Sequence, residues 1–279
     1  MSYNSIAVLL THLDEIITLL DGFSYLKYDR EVYAALHDIF HYVATGDELT
    51  ISKKYVTDPR LQNFMNKTYS FLNYVWSRHK EYVASMDVIA KEMYKRALDI
   101  LKNVGTLNNI HVFACDALSI VDALFIIYKL STEYKLRPRF FSTMINPGGK
   151  TSTYKFLLDP KRFLEEGENV TLMNAVRNAI SSILNTSIDI TKFDDIDKFI
   201  HDNESISFND VLTMINNLYG LVSSLYMKVK YLVTNNIVVF LVSDHGYDIQ
   251  KISSEYRLRH GSGPNSLSIL APIFIIQNT

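Results

Sequence analysis

Six residues with metal-ligand chemistry lie near the ends of apolar, strand-like runs or in the loops that join them. Asp116 follows HVFAC. Asp197 and His201 stand four apart in DDIDKFIH, just after IDITKF. Asp244 and His245 end the run NNIVVFLVS and are followed at once by Gly246. His260 lies in RLRHGSG, ahead of LAPIFII. Carboxylate oxygens and imidazole nitrogens are ligands for zinc and for harder divalent ions such as manganese. Three carboxylates and three imidazoles exceed one tetrahedral site. They suit a pair of ions, one activating a nucleophile and the other steadying a leaving oxygen. Each piece alone has a plainer reading. Asp116 alone reads as a helix N-cap, and Asp197 with His201 as a solvated helix face beside Asp194, Asp195 and Asp202. Asp244-His245-Gly246 alone is a turn, and His260 a loop residue. Their order along one α/β chain favours a site.

The elements that must position them fall into two stretches. Over residues 1–108 the apolar residues keep a helical period. Ile6, Leu9, Leu10, Leu13, Ile16, Ile17 and Leu20 recur at three- and four-residue steps, the mark of an amphipathic helix, with Gly22 as its expected cap. A second helix is expected over 30–44 with Val32, Ala35, Leu36, Ile39, Phe40 and Val43 on one face. A short extended stretch near 49–56 follows, then helices over about 59–82 and 86–103, with Pro59 near the start of the first and Gly105 closing the set. From 109 onward strand-like runs alternate with helical ones. NIHVFAC, RPRFFSTMI, IDITKF, NNIVVFLVS and LAPIFII read as strands; DALSIVDALFIIYKLSTEYK, VTLMNAVRNAISSIL and NDVLTMINNLYGLVSSLYMKVKYLV read as helices. That order predicts an α/β fold with a mostly parallel sheet flanked by helices, preceded by an all-α region. The break is expected near GTLNN, giving a helical module over 1–108 and a second domain over 109–279. Such sheets bind ligands beyond the carboxyl ends of their strands.

Composition excludes several classes. Hydrophobic residues make up 48% of the 279, enough for a substantial core. A net charge of −2 gives no basic footprint for bulk nucleic-acid binding. Cys115 is the single cysteine, so neither an intrachain disulfide nor a Cys-rich zinc site can form. The first twenty residues hold no Lys or Arg, and Asp14 and Glu15 interrupt their apolar run, unlike a signal peptide. No run approaches the roughly 20 apolar residues of a membrane span. The expectation is a soluble, cytoplasmic protein with no membrane partner.

The segments VFACDALS, DIDKFIH, FLVSDHGYDI and YRLRHGSGPNSLSILAPIFII resemble those of the PglZ domain family, within the alkaline phosphatase superfamily. The shared order is Asp, then Thr or Ser, then Asp-x-x-x-His, then Asp-His, then His. The resemblance covers about 109–279 and leaves the helical stretch unexplained. It implies an alkaline-phosphatase-like fold and a metal-dependent phosphoester hydrolase, a phosphodiesterase or phosphatase, with nucleotides or nucleic acid among its substrates. It also implies two divalent ions, zinc first and manganese as the alternative. One would be held by Asp197, His201 and His260. The other would be held by Asp116, Asp244 and His245 together with an alcohol nucleophile.

That nucleophile is expected in INPGGKTSTYKFLLDP, where Pro147 to Thr151 form a turn opening a helix. Thr151 is the candidate, with Ser152 and Thr153 as neighbouring rivals and Ser142 and Thr143 as more distant ones. Gly148, Gly149 and Lys150 stand where the resemblance implies bulkier residues. GGKTS imitates the end of a P-loop, but the position five before Gly149 is Met144, not Gly, so that motif fails its own spacing. Lys150, Arg257 and Arg259 are candidate substrate-binding cations, each with solvated surface as its plain alternative. The other reading of the chain is a weakly active or inactive metal-bound scaffold whose helical module binds a protein partner.

Overall fold

The helical periods of the first stretch fold as a set of packed helices. In a computed structural model of the chain, the described residues are 3–49, 53–104, 109–158, 162, 164–165, 167–184, 188–203, 210–253, 255–261 and 265–278. Helix α1 (Tyr3–Thr18) gives way to a 3-10 turn over Leu20–Tyr25, so Gly22 lies inside that turn and does not cap α1. Helix α2 (Asp29–Thr45) is buried continuously from Val32 to His41, because it is packed against other helices on several sides. The stretch expected to be extended near 49–56 contains a short helix, α3 (Lys53–Thr57). Burial of Tyr55 and Val56 against α2 and α4 overrides their strand preference; positions 50–52 lie outside the described residues. The single helix expected over 59–82 is two, α4 (Gln62–Ser77) and α5 (His79–Ala84). The break is at Arg78, at φ −110° and ψ 9°, whose N–H bonds back to Val75 O at 3.2 Å. Helix α6 (Met86–Val104) completes the set. Of the expected boundary, 105–108 lie outside the described residues.

The remainder supplies β1 (Ile110–Cys115), α7 (Ile120–Tyr134), β2 (Phe140–Ile145), α8 (Thr151–Leu158), α9 (Leu172–Leu184), β3 (Asp189–Phe193), α10 (Asp195–Asp202), α11 (Val211–Thr234), β4 (Val238–Ser243), β5 (Asp248–Ile252), β6 (Glu255–Arg259) and β7 (Leu270–Ile276). Five strands form one sheet in the order β2-β7-β4-β1-β3. β1 pairs in parallel with β3 and β4, and β7 pairs antiparallel with β4 and β2. Four strands therefore run one way and β7 runs against them, so the sheet is mixed, with a parallel centre. The reason is the connection. Parallel neighbours need a long crossover, usually a helix, and between β4 and β7 the described residues form only the β5–β6 hairpin and a 3-10 turn at Leu267–Ile269. The chain leaves β4 and re-enters the sheet at the same edge. That places the start of β7 beside the ends of the other four strands.

Two groups of helices sandwich this sheet. α7 and α11 pack together against β7 and β4, with α2 laid on both. α6 and α9 pack together against the strands, with α8 on both. β2, β4 and β7 are buried along their whole length, as suits strands covered on both faces. One buried apolar cluster runs from Ile6 to Ile276, so the amino-terminal helices and the sheet share a core. Among the described residues no helix is long and apolar enough to cross a membrane.

Candidate functional site

Five connections meet at the edge where β1, β2, β3 and β4 end and β7 begins. The sheet's hydrogen bonding carries on one residue past the strands. Asp116 N–H donates to Phe193 O at 2.8 Å, and Asp244 N–H donates to Cys115 O at 3.3 Å. The two aspartates are thus pinned side by side. After Asp116 the chain turns sharply through Ala117, at φ 61°. A residue with a Cβ in this region costs roughly 1–2 kcal/mol. Asp244 Oδ1 holds the turn by accepting from Ala117 N–H at 3.2 Å.

Asp116 does not cap α7. Ser119 does, in a capping box with Asp122: Ser119 Oγ accepts from Asp122 N–H, and Asp122 Oδ2 accepts from Ser119 N–H at 2.9 Å and Ser119 Oγ–H at 2.8 Å. The other oxygen, Asp122 Oδ1, accepts from Tyr33 at 2.5 Å and Tyr247 at 3.0 Å. Burial pushes the Asp122 pKa up to about 6, opposed by these hydrogen bonds. The network ties α2 to the start of α7 and to the residues just after His245. The Ser-x-x-Asp spacing was its legible signal; the tyrosines carried none.

In front of this network the candidate ligands converge. His201 Nε2 lies 3.5 Å and His260 Nε2 3.8 Å from Asp197 Oδ1, and the two nitrogens lie 3.3 Å apart. His245 Nε2 lies 3.6 Å from Asp116 Oδ1 and 3.7 Å from Asp244 Oδ2. Among the described residues, two groups of three have ligand atoms mutually close enough for one ion: Asp197, His201 and His260, and Asp116, Asp197 and His245. The first is the trio expected from the sequence. In the second Asp197 stands in the place expected of Asp244, which joins through its contact with His245. Asp197 thus links the two groups.

The electrostatics favour a cation. Asp244 is fully buried, and among the described residues its Oδ2 has no hydrogen-bond partner. Burial and then Asp116 push the Asp244 pKa up to about 6, against the pull of His245. Burial, with the charge of Asp116, also raises Asp197. Burial opposes protonation of His245, but Asp244, Asp116 and the Gly246 carbonyl outweigh it and push its pKa up to about 9. Burial would raise Asp116, but His245 and Lys192 hold it down at about 2. Without an ion, a protonated imidazole carries the positive charge that three crowded carboxylates demand. The tautomer also suits a ligand. His245 Nδ1 faces Gly246 O at 2.9 Å; a carbonyl only accepts, so Nδ1 carries the hydrogen and Nε2 is left toward the cluster. A carboxylate–imidazole donor set with an orphaned buried oxygen fits a divalent ion.

Of the candidate hydroxyls, Thr151 is the one in the cluster. Its Oγ1 donates to Asp116 Oδ1 at 3.2 Å and lies 3.4 Å from His245 Nε2. Thr153 packs against Gly148. Ser142 and Thr143 are buried inside β2, the first on Met93 Sδ and the second bonded to Met144 O. The two glycines before Thr151 have a steric cause. A Cβ at Gly148 would overlap the Thr153 side chain, and one at Gly149, at φ 54°, would overlap Gly261 O. Bare backbone there lets the Thr151 loop dock on the loop that carries His260. Asn146 fixes the same loop by donating to Asp244 O at 2.7 Å and Lys150 O at 2.9 Å. Asp248, passed over in the sequence, secures the His260 side by accepting from Leu267 N–H at 2.7 Å and from Ser266 Oγ–H.

Sequence reasoning also missed Lys192. Its Nζ lies 3.2 Å from both Asp116 Oδ2 and Asp194 Oδ2. A cleft of about 360 Å³ opens here, lined by Asp116, Thr151, Lys155, Lys192 and the segment Val170–Met173. The three expected substrate cations lie outside its lining. Lys150 and Arg259 are exposed, and Arg257 is half-buried with Glu255 at 3.7 Å. Neither the family models nor the curated proteins compared with this chain contain a match to it.

Proposed function

We propose that the chain is a metal-dependent phosphoester hydrolase of the kind implied by the PglZ resemblance, with an alkaline-phosphatase-like fold and Thr151 as its nucleophile. The observation that supports this most is the contact of Thr151 Oγ1 with both Asp116 and His245, inside a cluster able to hold cations. Asp197, His201 and His260 would hold one divalent ion, and Asp116, His245 and Asp244 the other. The donor set, without thiolate, suits zinc or manganese. The ions would supply the positive charge that makes a hydroxyl nucleophilic at neutral pH and stabilises the departing oxygen.

The protein's own residues do the positioning. Asp116 accepts the Thr151 hydrogen bond and so aims the hydroxyl into the cleft. His245, its tautomer fixed by Gly246, turns Nε2 to the same oxygen. Asp244 holds the Ala117 turn that brings Asp116 into place. Thr151, giving up its proton to water, then attacks phosphorus. Its new P–O bond forms as the bond to the substrate's alcohol breaks, and the departing oxygen takes a proton from water. A further water later hydrolyses the Thr151 phosphoester, releasing the phosphate and restoring the hydroxyl.

The test is hydrolysis of p-nitrophenyl phosphate and bis(p-nitrophenyl) phosphate with added Zn²⁺ or Mn²⁺, with chelator, and with Thr151→Ala. Turnover is expected with metal, is lost with chelator, and falls by roughly a thousandfold or more in the variant. Full turnover by Thr151→Ala would remove the nucleophile assignment. A metal-loaded protein that hydrolyses neither ester would overturn the reading.

A further inference from the structure

We propose that Lys192 and Lys155 bind the phosphoryl oxygens of the substrate, and that Val170, Leu172 and Met173 seat a compact apolar or aromatic alcohol group. This rests on the hydrolase reading and names its substrate class. Lys192 lies on the edge strand β3 and, with Asp189 and Thr191, is exposed; a lysine there ordinarily points to water. Here its ammonium is drawn back between Asp116 and Asp194. Asp116 therefore has Thr151 on one oxygen and Lys192 on the other, which puts a fixed cation beside the attacking hydroxyl. Lys155 is buried. It stands one turn along α8 from Thr151, on the same face, and lines the same cleft.

Val170, just before α9, and Leu172 and Met173, at its start, line the same cleft. About 360 Å³ is within the range of small-molecule sites, which combine an apolar lining with a few placed polar groups. A phosphate on a single-ring alcohol matches this division. A nucleic-acid strand does not. It is held by cations strung along a groove, whereas these two sit in one cleft of a chain with net charge −2.

The test is calorimetric titration of the full chain, with Mn²⁺ present, against inorganic phosphate and against phenylphosphonate. Neither needs turnover, so failure here is separable from failure of the hydrolase reading, which the ester assays decide. Phenylphosphonate is expected to bind about tenfold or more tightly than phosphate. Lys192→Met is expected to weaken both by about tenfold or more with Mn²⁺ affinity unchanged, and Lys192→Arg, which keeps the charge and controls for folding, to retain them. Equal affinity for the two ligands would remove the apolar seat. Undiminished binding by Lys192→Met, or no binding of either ligand by the unaltered protein, would overturn the cationic subsite. Loss of Mn²⁺ in Lys192→Met would overturn it too, making Lys192 a positioning residue for Asp116.

Discussion

The two halves of the candidate metal cluster are built differently. The half with Asp116, Asp244 and His245 is buried at the floor of the cleft: the His245 side chain is 2% exposed and the Asp244 side chain 0%. Its backbone extends the sheet's hydrogen bonding, and its loops rest on the Ser119–Asp122–Tyr33–Tyr247 network. The half with His201 and His260 stands at the surface, with the His201 side chain 51% exposed on the short helix α10. The same ligand types thus meet water on one side and protein on the other. A buried charged cluster is costly to leave without compensation, so the inner half should depend on its cation far more than the outer half does.

The largest expected effect breaks that comparison by substitution. His245→Ala should lower ester turnover by roughly a thousandfold or more. It removes a proposed ion ligand, a contact of Thr151, and the charge that balances Asp116 and Asp244. His201→Ala should cost less, roughly 10- to 100-fold, and be recovered in part by raising the metal concentration, because water can replace an exposed ligand. Steady-state kinetics over a Mn²⁺ series checks both. Equal losses in the two variants, neither recovered, would remove the distinction between the halves.

How much of this was legible in the sequence follows the same division. The six candidate ligands could be singled out because they lie near strand ends or in the joining loops, and parallel strands deliver the positions after β1, β3 and β4 to one edge. The direction of β7 could not be read, since LAPIFII looks the same running either way; the hairpin connection decides it. Gly148 and Gly149 looked like departures from a motif until their close approaches to Thr153 and Gly261 O appeared. Lys192 was hidden because an edge-strand lysine is ordinarily solvated. Asp122 was hidden because its partners Tyr33 and Tyr247 are 89 and 125 residues away, beyond any local pattern.

The next effect sharpens the comparison by pH. In the metal-free chain His245 has its pKa raised from 6.5 to about 9. Its proton stabilises the fold fully below pH 6.5, and that stabilisation is lost as pH rises through 9, by about 3 kcal/mol in all. Thermal unfolding with chelator should therefore show Tm falling across this window. With saturating Mn²⁺ the fall should shrink or reverse, because the ion replaces the proton and binds only neutral imidazole. His245→Gln should flatten the metal-free profile. A wild-type profile already flat between pH 6.5 and 9 without metal would show that no proton stands in for the ion.

The smallest effect asks whether the amino-terminal helices serve the inner half. Tyr94 of α6 and Tyr154 of α8 share a buried hydrogen bond of 2.7 Å between their hydroxyls, and Tyr154 is one turn from Thr151. Tyr94→Phe leaves the Tyr154 hydroxyl buried without that partner and should cost about 1–3 kcal/mol in urea unfolding. Tyr94→Phe combined with Tyr154→Phe should cost less than the single change, since two apolar rings of the same shape leave nothing unsatisfied. If α6 acts on the site through this contact, the single variant should lower kcat several-fold with KM unchanged, and the double variant should recover part of that loss. A stability loss with unchanged kcat would mean that α6 braces the core and leaves the placement of Thr151 to Gly149, Asn146 and the sheet edge.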